Sequence, residues 1–201
     1  LASDFDALNL AAVMVVVVWG MTFISTKVLI VHGLSPQEIF LFRFLLAYAA
    51  VCPISFHRFF ARNLKDELYL VGGGVLGGSL FFFLQNMALG LTQASNVSFI
   101  ICTTPLLTAA LTILSVRMEK VSRGFIHGSI VALLGVGLLI FNGSFILRIS
   151  PLGDLLTLLA SLSWAFYSLV IRSLTRKYSP AFITRKIFFY GIITILPTFF
   201  F

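Results

Sequence analysis

Trp19 and Trp164 are the only tryptophans in the 201 residues, and each stands in an apolar run beside small hydroxyl-bearing side chains. Thr22, Phe23 and Thr26 share the face of Trp19 on a helix by the i, i+3, i+4, i+7 rule. Tyr167 and Ser168 do the same for Trp164. Indole faces flanked by hydroxyls can stack on a small solute and hydrogen-bond it, which is recognition chemistry rather than bond-making. The alternative is helix packing, with each indole N–H bonded to a neighbouring carbonyl.

Three further residues carry polar chemistry inside apolar surroundings. Arg43 lies about seven residues past Pro36, or ~10 Å along a helix. An arginine at that depth faces protein or water rather than lipid. Either Glu38 or a backbone carbonyl pairs with it, or it lines a mouth that attracts a carboxylate or phosphate. Gln85 and Asn96 each offer a donor and an acceptor, to a polar solute or to an adjacent helix. Trp19, Thr22, Phe23, Arg43, Gln85, Asn96, Trp164 and Tyr167 form the candidate solute-binding set. Lys27 and Arg172, near the ends of the Trp-bearing runs, are expected to snorkel to opposite interfaces.

Catalytic signatures are missing. His32, His57 and His127 stand far apart with no metal-ligand spacing. There is no H-E-x-x-H, no G-x-S-x-G elbow and no phosphate-binding loop. No enzyme activity, metal or cofactor is expected. Asn142-Gly143-Ser144 fits a glycosylation acceptor, a pattern of three residues that matters only in a secretory membrane.

The elements that position these residues are membrane helices. Hydrophobic residues make up 59% of the chain and charged residues 10%; a water-soluble surface needs roughly 25% charged. The solvent is therefore a bilayer. The net charge of +7 sits in gaps between apolar runs, without the aromatic-basic interleaving of a nucleic-acid surface. Cys52 and Cys102 both fall inside spans and read as small core residues, with no disulfide framework.

Seven segments approach the ~20 residues a crossing helix needs: about 9–31, 37–56, 68–91, 94–116, 124–142, 153–172 and 185–201. Ser35-Pro36, Ser150-Pro151 and Ser179-Pro180 supply helix starts, and Ser35 with Glu38 has capping-box spacing. Gly73, Gly74, Gly77 and Gly78 permit close helix approach in the third span, and Pro105 should kink or loosen the fourth.

The two tryptophans repeat at an interval of about 145 residues, as do Lys27 and Arg172; Ser35-Pro36 and Ser179-Pro180 repeat at about 144. Such a period marks the duplication of a multi-helix unit. Bases cluster after the second span (Arg58, Arg62, Lys65), after the fourth (Arg117, Lys120, Arg123) and between the sixth and seventh (Arg172, Arg176, Lys177, Arg185, Lys186), against Arg148 and Lys27 on the other side. That bias puts the N-terminus in the cytoplasm. Five spans being odd, the second unit enters the membrane from the opposite side. The expected fold is an all-α polytopic bundle, with a first unit over 9–143 and an incomplete second over 150–201. If the second unit matches the first, about three more helices should follow Phe201, the chain being a fragment of a ten-helix protein or a natural truncation. The first residues, Leu-Ala-Ser-Asp-Phe-Asp, lack the features of a signal peptide and read as the interior of a longer chain.

Trp19-Gly20-x-x-Phe23 with Lys27, Phe42-Arg43-Phe44-Leu45-Leu46-Ala47, Ala88-Leu89, Ala94-Ser95, Pro105-Leu106, Glu119-Lys120-Val121-Ser122, Gly128, Gly135-Val136-Gly137, Gly153-Asp154 and Trp164-Ala165-x-Tyr167 together resemble the drug/metabolite transporter superfamily in its EamA-like branch. The resemblance implies a ten-helix exporter of small metabolites, with a central cavity between two inverted five-helix repeats.

The function expected is export of a small metabolite, such as an amino acid or a related compound, across the cytoplasmic membrane by alternating access. Partners would be a small-molecule substrate and the lipid bilayer, with no nucleic acid and the oligomeric state open. A non-transporting sensor or assembly subunit is the alternative; uptake and nucleotide-sugar exchange stay open within transport. No Asp or Glu lies in mid-membrane to carry a coupling proton, since Glu38, Glu119 and Asp154 stand at helix ends.

Overall fold

A computed structural model describes residues 2–55, 59–115, 122–141 and 150–200. His57, Arg58, Arg117, Glu119, Lys120, Asn142-Gly143-Ser144 and Arg148 lie outside the described residues. Those described form an all-helical bundle in the order α1 (Ala2–Val31), α2 (Pro36–Val51), α3 (Leu64–Leu91), α4 (Ala94–Ser115), α5 (Arg123–Phe141), α6 (Pro151–Arg172) and α7 (Pro180–Ile195). Six apolar stretches of 20 to 28 residues are long enough to cross a membrane: α3, α4, α6, most of α1, and α2 and α7 with the short turns that extend them. The apolar stretch identified in α5 is the shorter Arg123–Gly135.

Caps set the helix starts. Ser35 accepts from the Glu38 N–H, and the Glu38 carboxylate accepts from the Ser35 N–H at 2.8 Å, so the capping box forms. The Ser179 hydroxyl caps α7 through the Phe182 N–H. At α6 the side chain of Ser150 makes no cap bond; its N–H donates instead to Asp154 at 3.2 Å. Asn63, unremarked in the sequence, caps α3 through the Asp66 N–H at 2.7 Å. Because capping rather than hydropathy fixes where a helix begins, α3 starts at 64 rather than 68 and α7 at 180 rather than 185. The α1–α2 turn closes on Gly33, whose φ of 97° is the left-handed conformation glycine tolerates after a helix.

Two helices are interrupted. The middle of α3 is π-helical over Gly74–Leu80. Its glycines admit side chains of α6 and α7: a Cβ on Gly73 would lie 2.7 Å from Ile187, one on Gly77 would overlap the Tyr167 ring, and one on Gly74 would overlap Tyr190. Residues 102–103 break α4 into Ala94–Ile101 and Thr104–Ser115, just before Pro105, where the missing proline N–H removes a helix bond.

One end of the bundle gathers the α1–α2 turn, the end of α3 and the start of α6. Lys27 Nζ donates to the carbonyls of Leu89 (2.5 Å) and Thr92 (3.0 Å). Asn86 donates to the Pro36 carbonyl (3.1 Å), and a Cβ on Gly153 would sit 3.0 Å from Thr92. The opposite end gathers the start of α3, the end of α6 and the turn before α7, with Lys177 bound to Asp66 at 2.8 Å. α1 thus runs toward the end from which α6 departs, and these two helices cross the bundle in opposite directions.

α2 and α7 share several features. Each is 16 residues long, each follows a Ser-Pro start, and each runs into a four-residue 3₁₀ turn carrying a proline, Cys52–Ser55 with Pro53 and Leu196–Phe199 with Pro197.

Candidate functional site

The antiparallel α1 and α6 bring Trp19 and Trp164 ring to ring, centroids 5.6 Å apart and planes inclined at 45°. Trp164 extends the stack to Phe81 of α3 (4.7 Å) and to Tyr167 one turn on (5.0 Å). Offset, tilted ring pairs of this kind are the arrangement aromatic quadrupoles favour.

The indole pair lines two cavities. The larger, about 920 Å³, is bounded by α1, α3, α4, α5 and α6 and is mostly apolar. Its polar lining comes from the broken helix α4. There Ser98 and Thr108 spend their hydroxyls on the backbone carbonyls of Ser95 (2.9 Å) and Thr104 (2.9 Å). The buried hydroxyl of Thr104 makes no bond among the described residues. Cys102, expected in the core, is exposed along this cavity, because the break in α4 turns it outward. The smaller cavity, about 450 Å³, is a groove lined by Met14, Val15, Val18, Trp19, Thr22, Arg43, Phe82 and Trp164.

The structure brings five of the eight candidate residues to these cavities. Trp19 and Trp164 line both, Phe23 the larger, and Thr22 and Arg43 the smaller. The Thr22 hydroxyl donates to the Trp19 carbonyl at 2.6 Å. Phe23 is buried against Ala88, Leu89 and Val97. Gln85, Asn96 and Tyr167 line neither cavity. Gln85 is buried, with its Oε1 unpaired among the described residues. Asn96 donates to Thr92 Oγ1 at 3.4 Å, and Tyr167 fills the hollow left by Gly77.

Arg43 is not bound to Glu38, whose carboxylate is taken by the Ser35 cap. Its guanidinium donates to Thr26 at 3.2 Å and lies over the Phe82 ring at 5.6 Å. Lys27 does not snorkel to the interface; it turns inward to the carbonyls that end α3.

At the far end sits a polar cluster that the sequence reading missed. Arg185 and Lys186, counted with the bases between the sixth and seventh spans and at the very start of the seventh, lie well inside α7 and are 3% and 1% exposed. Lys186 pairs with Glu67, which also accepts from the Tyr190 hydroxyl and the Ala61 N–H. Four rings, of Phe59, Phe60, Phe189 and Tyr190, surround the Lys186 ammonium at 4.6–5.6 Å. Asp66 repeats the scheme: Lys177 at 2.8 Å and the Tyr178 hydroxyl at 2.9 Å. The bond to Asp66 holds the Lys177 ammonium above the ordinary lysine range. Adjacent carboxylates on α3 thus each take one lysine and one tyrosine from the chain after α6. The signal was the Asn63 cap three residues before Asp66, and Ser179-Pro180 before Arg185-Lys186; counting from caps puts both charged pairs inside helices.

Comparisons with known proteins fit this architecture. A model of the EamA-like transporter family matches residues 7–141. The uncharacterized transporter YcxC of Bacillus subtilis (strain 168) is 27% identical over 173 residues, which is 84% of this chain and 54% of that protein. An uncharacterized transporter of Archaeoglobus fulgidus is 26% identical over 193 residues, 94% of this chain and 65% of that one. The chain spans between about half and two thirds of the length of these relatives. No solved structure matches the chain significantly.

Proposed function

This chain belongs to the EamA-like transporter family, and on that premise we propose that it forms the larger part of a multi-pass exporter of small metabolites, amino acids or related compounds, in the cytoplasmic membrane. The observation that carries the proposal is the Trp19–Trp164 pair: two antiparallel helices, one from each proposed unit, meet at aromatic residues that line a cavity of about 920 Å³. A site at the junction of inverted repeats, reached from each side in turn, is the arrangement alternating access requires.

In this reading residues 9–143 and 150–201 are the two units, the second incomplete, and the N-terminus faces the cytoplasm. Glu67–Lys186 and Asp66–Lys177 then tie the units together on the cytoplasmic side and must part for the cavity to open there. The burial of Lys186 and Asp66, and the tyrosine that each carboxylate binds besides its lysine, support a closed cytoplasmic end in this conformer. The two cavities beside the indole pair favour transport over a scaffold or sensor, which needs no hollow between its units.

The test is a solute-accumulation screen in cells with and without the full-length gene product. Export predicts lower intracellular levels of one solute class when the protein is present. Identical solute profiles would contradict it.

A further inference from the structure

The groove on the Arg43 side of the indole pair has a charge imbalance that selects its occupant. Its lining is apolar except for Thr22, Arg43 and the indole N–H groups of Trp19 and Trp164. The Thr22 hydroxyl proton is committed to the Trp19 carbonyl, so the groove's one charged donor is Arg43. That guanidinium carries five N–H groups, and the structure engages it with the Thr26 hydroxyl and the Phe82 face. The carboxylates among the described side chains are all held elsewhere: Glu38 by Ser35, Asp66 and Glu67 by lysines at the far end, and Asp154 by the Ser150 N–H. A cation at this depth, bordering a cavity and without a described counter-ion, marks a solute pathway.

Resting on the exporter reading, we propose that the transported solute is a net-anionic carboxylate with an apolar or aromatic body. Arg43 binds its head in the planar two-bond geometry guanidinium offers a carboxylate. Trp19, Trp164 and Phe82 pack on its body. The groove holds one fixed positive charge and no described negative one, so a simple carboxylic acid is favoured over an amino acid and strongly over an amine. The ammonium of an amino acid would be desolvated here without an anionic partner. Phe82 shields the guanidinium on one face, which lowers its hydration and strengthens the pairing.

Equilibrium binding to the full-length protein in lipid nanodiscs tests this with three probes sharing one body: phenylacetate, 2-phenylethanol and phenethylamine. The wild type should bind phenylacetate about tenfold or more tighter than 2-phenylethanol, and phenethylamine weakest. Arg43→Gln should bring phenylacetate down to the level of the alcohol, while Arg43→Lys keeps a preference for the acid. Equal binding of acid and alcohol by the wild type, or an acid preference surviving in Arg43→Gln, overturns the anion assignment and leaves the exporter reading intact. Where Arg43→Gln loses both ligands, Arg43→Lys decides: acid preference kept supports the assignment, and acid binding lost with alcohol binding intact overturns it. Saturable binding of none of the three overturns the anion assignment and, with an unchanged solute profile in cells, the exporter reading with it.

Discussion

Trp19 and Trp164 touch, ring centroids 5.6 Å apart, although about 145 residues separate them and their helices run in opposite directions. The indoles do not face each other across a hollow; they form a partition, with a serine- and threonine-bearing cavity on one side and the Arg43 groove on the other. Loss of either indole would join the two spaces, and loss of the antiparallel crossing would remove the partition.

The far-end ion pairs should dominate the stability of the helix packing there. Glu67→Gln leaves Lys186, 1% exposed, without its carboxylate. Breaking a buried pair from one side costs about 3–5 kcal/mol, and replacing both partners costs much less. Thermal aggregation monitored by fluorescence-detection chromatography should show a clear drop for Glu67→Gln or Lys186→Met alone, and partial recovery for the double variant. Additive losses would mean that the two side chains act independently.

The glycine stripe of α3 gives a position-specific prediction. Gly74→Ala and Gly77→Ala drive a methyl into Tyr190 and Tyr167, whereas a Cβ on Gly72 meets nothing within 4 Å. Overpacking costs about 1–3 kcal/mol, so the first two variants should unfold at lower temperature and Gly72→Ala should not. Equal behaviour of the three would show that α6 and α7 do not approach α3 as described.

Lys27 separates two accounts of a lysine near a helix end. As a cap on the Leu89 and Thr92 carbonyls, its replacement by Met should cost about 1.5–3 kcal/mol, the worth of hydrogen bonds to a charged group. A snorkelling lysine at the interface would lose almost nothing. The same thermal assay distinguishes them.

Much of this architecture was legible in the sequence, and the exceptions share one cause. Ser35-Pro36 and Ser179-Pro180 gave the starts of α2 and α7 outright, and the repeat of the two tryptophans marked α1 and α6 as matching helices, though no local pattern specified that their rings touch. Hydropathy alone opened both apolar segments late: the third at Leu68, since Asp66 and Glu67 read as a loop whether or not a partner awaits them, and the seventh at Arg185, well past the Ser179 cap. Lys186 and Glu67 lie within helices because each satisfies the other, a fact held by the fold and by neither segment alone. Arg43 was the reverse case: its depth was readable from Pro36, but whether Glu38 could reach it depended on the Ser35 cap closing first.

The proposed cytoplasmic N-terminus can be tested by labelling the two ends of the bundle. In a background with Cys52 and Cys102 replaced, a membrane-impermeant maleimide should label His32→Cys on intact cells and Arg176→Cys only after permeabilisation. Both parent residues are exposed, at opposite ends of the bundle. The reverse labelling pattern would invert the proposed topology and place the Glu67–Lys186 cluster outside.

The most direct test of the central claim is the export rate of Trp19→Ala and of Trp164→Ala, each normalised to the amount of protein inserted in the membrane. If the paired indoles wall the solute site, each variant should insert normally and lose export by about tenfold or more, as truncation of a buried aromatic anchor does. Unchanged export per inserted molecule, with any deficit traced to reduced insertion, would contradict the account and leave the pair as packing.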